Sequence, residues 1–453
     1  MRLPRGVRDY LPEAAARRRG IAGAVLGEVE RWGYRRIITP AFEYESVLSR
    51  GLGAEGRARA VRFVEPGTGE VVMLRPDITP QVARLAATRL LDEGGPLRLS
   101  YEGAVVRLSG AGQRELFQAG VELIDAESPD GDAEVIALAA AALTALGVVD
   151  FVLDLGEARL PQAALAGLAP AATAALREAI ARKDVDEVAR QARGLSLPAA
   201  RRKLLEALPG LYGGPEVIGR AARLLEGAAL AGARAGLRQL EALCARLAAF
   251  PLGGHLSIDL GEVRGFDYYT GVRFSGYAPG VGDALLSGGR YDGLVGRYGR
   301  AAAAAGFAVD VERVALALPP ESTSAPLGVF VAGAAERRHA VSRGLRAAGV
   351  RAVEELDDAA LTVAALRTRA ARVGAAVVLV LERSGGGRWY SLLGPGSGRI
   401  SAAEIAAAQS GTANLAAVLD PTPAARYPAA APRNPAGRTR QRPFPASSPR
   451  RRG

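Results

Sequence analysis

Val61-Arg62-Phe63-Val64-Glu65-Pro66-Gly67-Thr68-Gly69-Glu70-Val71-Val72-Met73-Leu74 reads as two extended arms around a tight turn. The arms, Val61 to Val64 and Glu70 to Leu74, flank Pro66-Gly67-Thr68-Gly69, whose glycines tolerate positive φ, so the stretch predicts a β-hairpin. The chain then continues Arg75-Pro76-Asp77-Ile78-Thr79-Pro80-Gln81. Thr79 is placed there as an N-cap and Pro80 as the first helical residue, so the strand turns into a helix. Upstream, a helix is expected around Ala14 to Gly33 and an extended piece from Arg35 to Pro40. Downstream, strands are expected at Leu97 to Val106, Phe117 to Leu123, Phe151 to Leu155 and His255 to Leu260, interrupted by helices at Pro80 to Leu91 and Asp132 to Leu146. Strands with hairpin-like links and helices on one side predict an α+β domain with a mostly antiparallel sheet.

From about Ala158 to Phe250 apolar residues recur at helical spacing, as at Leu204, Leu208, Leu224, Leu225, Leu237 and Leu240, which predicts a helical insertion over about 158–250. Pro319-Pro320-Glu321-Ser322-Thr323-Ser324 has the composition of a linker. Beyond it, a strand Leu327 to Val331, a helix near Ala335 to Ala348 and a strand Ala375 to Leu381 predict a small α/β domain over 326–420, with Gly394 to Gly398 as a turn before a helix capped by Ser401. Residues 421–453 hold eight arginines, eight prolines and no acidic residue, a composition that buries no core and predicts a disordered tail.

That tail carries most of the formal charge of +11, and the rest of the chain is nearly balanced, so nucleic acid is not an expected partner. One cysteine, Cys244, and two histidines, His255 and His339, are too few and too scattered for a zinc site or a disulfide framework. Cys244 falls in a helical pattern and is expected in the core. No apolar run reaches the length of about 18 residues that would suggest a membrane span, and no apolar leader follows Met1, so a cytoplasmic protein without metal or cofactor is expected.

Asp77 adds a carboxylate able to hold an ammonium group, although a capping turn explains the segment equally well. Arg264-Gly265-Phe266-Asp267-Tyr268-Tyr269-Thr270-Gly271 sets a guanidinium and two phenols beside a glycine turn. Arg264 could grip a carboxylate bidentately and the tyrosines could wall a planar ligand; simple packing accounts for them as well. Ser287-Gly288-Gly289-Arg290-Tyr291-Asp292-Gly293 is glycine-rich without the spacing of a Walker loop or a dinucleotide fingerprint.

Together these pieces resemble the histidyl-tRNA synthetases. Arg5-Gly6-Val7-Arg8-Asp9-Tyr10-Leu11-Pro12, Gly33 to Pro40, Arg75-Pro76-Asp77, Arg114 to Glu122, Arg264 to Gly271, Ser287 to Val295 and Gly306 to Arg313 follow that family's order, spanning about Leu3 to Leu318. The resemblance implies a class II synthetase-like core over 1–320: an antiparallel sheet flanked by helices, self-dimerising through Gly33 to Pro40. It likens 326–420 weakly to an anticodon-binding domain. It implies a histidine pocket with Asp77, Thr79 and Gln118 at the ammonium, Glu122 at the imidazole, Arg264 at the carboxylate and Tyr268 and Tyr269 as walls. Arg107 joins that set, and with Arg313 it matches the family's phosphate-binding arginines.

The sequence also departs from the synthetases. Arg107 is followed by Leu108 and Ser109 instead of the family's Arg-x-Glu, and the loop to Gly112 is short. Asp310 stands where synthetases place glycine, and Asp77 where they use glutamate. Asp310 would either repel a triphosphate or form a structural ion pair with Arg313. These departures resemble the regulatory subunits that accompany a short-form ATP phosphoribosyltransferase at the first step of histidine biosynthesis. That resemblance implies a non-catalytic chain with the short-form catalytic subunit as partner in a hetero-oligomer and L-histidine as effector. The alternative is an active histidine–tRNA ligase, which the C-terminal segment and basic tail favour and the altered motifs oppose.

Overall fold

Ile21, Ala22, Val25 and Val29 recur three to four residues apart and are all buried along one side of the helix Pro12–Arg31. Burying each large aliphatic side chain contributes about 1.5–3 kcal/mol. The helix ends at Gly33, whose φ of +82° lets its N–H reach the Glu30 carbonyl at 2.9 Å while the Tyr34 N–H reaches Val29 at 3.2 Å. The computed structural model describes residues 2–108, 112–225, 230–263, 269–319, 328–357 and 361–409. Two compact units emerge, Met1–Pro320 and Glu321–Gly453.

Among the described residues, the first unit is built on a nine-stranded sheet. Its strands are β1 (Arg35–Arg36), β5 (Leu97–Val106), β6 (Glu115–Ile124), β7 (Val152–Glu157), β8 (Tyr212–Gly213), β9 (Leu256–Asp259), β10 (Val272–Tyr277), β11 (Leu286–Arg290) and β12 (Ala304–Asp310), in the order β1-β5-β6-β12-β11-β10-β7-β9-β8. Most neighbours are antiparallel; β1 with β5 and β7 with β9 run parallel. A separate three-stranded sheet holds β2 (Phe42–Tyr44), β3 (Arg62–Val64) and β4 (Val71–Leu74), with β3 and β4 forming the expected hairpin.

Helices lie on both faces of the large sheet, not on one side as the local pattern suggested. Alternation along β6 is the reason: Ala119, Val121 and Leu123 pack with the helices Pro12–Arg31 and Asp130–Ala145, while Ile124 packs with Ile78, Val82 and Ala83 around the helix Thr79–Leu85. A single helix was expected from Pro80 to Leu91; instead the helix Thr79–Leu85 passes into a π turn, Ala86–Leu90, and a 3₁₀ turn, Leu91–Glu93. The stretch between β7 and β9 is largely helical, from Arg159–Leu165 to Ala231–Leu247, and buries Leu204, Leu208, Leu225, Leu237 and Leu240. Cys244 lies on the last of these helices, partly buried against the same core.

In the second unit β13 (Gly328–Ala332), β14 (Arg351–Glu354), β15 (Val377–Leu381), β16 (Gly387–Ser391) and β17 (Ser397–Ile400) form a sheet in the order β14-β13-β15-β16-β17. The first three are mutually parallel and the last two antiparallel, with helices Ala335–Ala347 and Val363–Arg372 between strands, an α/β arrangement. Ser401 and Glu404 cap each other's backbone N–H groups ahead of the helix Ala402–Gln409. The linker around Glu321 to Ser324 and the tail 421–453 lie outside the described residues.

Candidate functional site

The face of the large sheet that carries Gln118 and Glu122 opens into a cavity of about 230 Å³. This is below the roughly 300–1,000 Å³ that a drug-sized ligand occupies, so the cavity suits something the size of an amino acid. Its lining includes Asp77 and Thr79 after β4, Arg107 at the end of β5, Gln118 and Glu122 on β6, Tyr269 before β10, Ser287, Gly288 and Tyr291 on and after β11, and Asp310 and Arg313 at the close of β12. Residues 118 and 122 are four apart on one strand, so their side chains share a face.

Glu122 is the deepest of these groups, 1% exposed. Tyr101 donates its hydroxyl to Oε1 at 3.1 Å and Tyr291 donates to Oε2. Burial pushes the Glu122 pKa up to about 8, opposed by hydrogen bonds from Thr79, Tyr291 and Tyr101, while the Asp77 charge raises it further. Gln118, 9% exposed, has a carboxamide oxygen buried without a hydrogen-bond partner. An acceptor left so costs about 1–3 kcal/mol, which makes it the atom of the cavity most in need of a donor.

Thr79 is not the N-cap that the sequence suggested. The helix already includes Thr79, whose N–H bonds to Asp77 Oδ1 at 3.2 Å. Tyr269 is a half-buried wall, its phenol pushed up to about 12 by desolvation, with the Arg273 guanidinium 5.8 Å from its ring. Arg273 is itself held by Glu262 at 2.9 Å.

At the other end of the cavity Arg107 donates to the Pro76 carbonyl at 2.6 Å. Asp310 forms the structural ion pair with Arg313 and also lines the cavity. Its Oδ1 accepts the Arg313 N–H at 3.0 Å as the N-cap of the helix Val311–Ala317, and its Oδ2 lies 3.2 Å from Arg313 Nε. Burial raises the Asp310 pKa, and the Arg313 backbone bond and charge, then Arg107, oppose it.

Asp77, Thr79, Arg107, Gln118, Glu122 and Tyr269 thus share one cavity; Arg264, Tyr268 and the short loop at Ser109 lie outside the described residues. The glycine-rich segment Ser287 to Gly293 begins in a strand: Leu286–Arg290 is β11, with Arg290 clamped to Asp132 and Asp292 at 2.8 Å each. Sequence reading gave Tyr101 and Tyr291 no role. A usable signal was present for Tyr101, which stands opposite Gly120 in a paired strand, two residues before Glu122; none marked Tyr291.

A mostly antiparallel sheet flanked by helices, with a polar pocket on one face, is the architecture of a class II synthetase-like core. Residues 6–314 match the family model for histidyl-tRNA synthetase, and the chain belongs to that family. Within it, the chain is similar to the ATP phosphoribosyltransferase regulatory subunit of Geobacter sulfurreducens, 42% identical over 314 residues covering 68% of this chain and 71% of that protein. It is likewise similar to the subunit of that name from an Anaeromyxobacter species, 44% identical over 331 residues covering 70% and 92%. A Bacillus halodurans crystal structure described as an ATP phosphoribosyltransferase regulatory subunit/histidyl-tRNA synthetase superposes with a TM-score of 0.71 at 29% identity, covering 81% of this chain and 96% of that one. Histidyl-tRNA synthetase from Nostoc shares the fold, with a TM-score of 0.72 at 20% identity over 90% of this chain and 99% of that one. Among the described residues no helix is long and apolar enough to cross a membrane.

Proposed function

We propose that the chain is a non-catalytic regulatory subunit, acting in the cytoplasm with a short-form ATP phosphoribosyltransferase catalytic subunit and binding L-histidine as the effector. The observation that carries this reading is the acidic end of the cavity. A fully buried Glu122, held by the hydroxyls of Tyr101 and Tyr291, faces the same space as an unpartnered Gln118 carbonyl. Gln118 and Asp77 supply acceptors for an α-ammonium group, and Glu122 an acceptor for an imidazole N–H. Tyr269 supplies a flat wall. Arg264 and Tyr268 take the carboxylate and second-wall roles by resemblance alone, and Arg107 closes the far side.

Histidine held here inhibits a partner only to the extent that it binds active and inactive assemblies unequally, a coupling of typically about 1–3 kcal/mol. Self-association through Gly33 to Pro40 belongs to the same proposal; Ile38 in that segment is 86% exposed. The test is to mix the purified chain with a short-form catalytic subunit and follow assembly by light scattering and ATP–pyrophosphate exchange with histidine. The reading expects a hetero-oligomer and no exchange. Robust exchange by the chain alone, or no association, overturns it.

A further inference from the structure

Arg107 and Arg313 put two positive charges on one side of a cavity whose opposite end is acidic, which by itself would make a subsite for an anion beside the amino acid. Two carboxylates of the chain already occupy that role. Asp310, 8% exposed, engages both the backbone N–H and the Nε of Arg313, at 3.0 and 3.2 Å. Asp283 reaches Arg313 Nη2 at 3.5 Å, and the Ala284 carbonyl takes Nη1 at 3.0 Å. The Arg313 fork is therefore spent within the protein, and Arg107 lies close enough to feel the Asp310 charge.

We propose that Asp310, assisted by Asp283, acts as a built-in anion at the Arg107–Arg313 side of the cavity, so that the pocket admits a free amino acid and rejects phosphorylated or nucleotide-linked ligands. Asp310 is on this account a specificity-determining residue. Its effect is charge cancellation: a phosphate arriving here meets paired arginines and a carboxylate with which it must share them. The inference rests on the cavity as the amino-acid site, but its charge logic can be tested separately.

Asp310→Asn is the informative variant, because asparagine caps a helix as well as aspartate and removes only the charge. Inorganic pyrophosphate and L-histidine are titrated separately into the wild-type chain, Asp310→Asn and Asp283→Asn by calorimetry, with thermal unfolding as a folding check. The expected result is at least a roughly tenfold gain in pyrophosphate affinity for Asp310→Asn, a smaller gain for Asp283→Asn, whose carboxylate is the more exposed, and histidine affinity within about threefold of wild type. Equal pyrophosphate binding by wild type and Asp310→Asn overturns the proposal. A pyrophosphate gain with no histidine binding by any of the three leaves the anion role standing and overturns the histidine reading alone. Should Asp310→Asn unfold, a Asp283→Asn chain with no gain in pyrophosphate affinity counts against the proposal on its own.

Discussion

Gly306 on β12 lies directly opposite Glu122 on β6, and a methyl group at position 306 would occupy the space of Glu122 Oε2. The Val121 carbonyl crowds the same point, so the neighbouring backbone offers no room either. Gly306→Ala is expected to cost about 1–3 kcal/mol of stability, as overpacking of a core does, and to weaken histidine binding by turning the Glu122 carboxyl off its tyrosine donors. Thermal unfolding and calorimetry measure both; a stable variant with unchanged affinity would separate Glu122 from the ligand.

Glu122 also gives the fold a pH signature. Its carboxyl is held at about 8 against an ordinary 4.5, so between those values the folded chain keeps a proton that the unfolded chain releases. Its contribution to stability is fully present below about pH 4.5 and is lost as pH rises through about 8. Glu122→Gln, which cannot ionise, should flatten that decline, an effect on the order of a few kcal/mol across the window. Denaturant unfolding of both proteins at pH 5, 6.5 and 8 tests this (roughly the span of the shift); parallel profiles would contradict it.

Gln118 should show the opposite balance of stability and function. Gln118→Leu removes a buried oxygen that has no partner in the folded chain, so stability should hold or rise by about 1 kcal/mol. Histidine affinity should fall by at least about tenfold, because the ammonium loses an acceptor. A loss of stability would show that the carboxamide serves the fold.

What could be read from the sequence was what local pattern determines. The β3–β4 hairpin, the ten-residue strand Leu97–Val106 and the mixed β/α order after Gly328 follow from alternation and turn chemistry alone. What escaped depends on distant partners. Thr79 looked like a cap, yet the helix starts at Thr79 itself with Ile78 before it, and Tyr291 reaches Glu122 across 169 residues of chain. The glycines of Ser287 to Arg290 had no local explanation, because nothing nearby in the chain reveals that Phe307 and Phe274 crowd Gly288 from neighbouring strands. The residues gathered in the cavity were named through family resemblance, and composition alone would not have found them.

The arginine- and proline-rich segment 421–453 has no apolar periodicity with which to dock. Its deletion should leave unfolding temperature and partner activation within error of the full chain. A drop in activation would assign those arginines a role in assembly.

The central claim is that histidine is sensed in the Gln118–Glu122 cavity for the benefit of a partner enzyme. Its most direct test is phosphoribosyl transfer by the reconstituted complex of this chain with a short-form catalytic subunit, measured against histidine concentration for wild type and Gln118→Leu. The account predicts that transfer rises on mixing, that histidine inhibits the wild-type complex, and that the variant assembles normally but needs at least about tenfold more histidine for the same inhibition. Identical inhibition curves for the two complexes would contradict it.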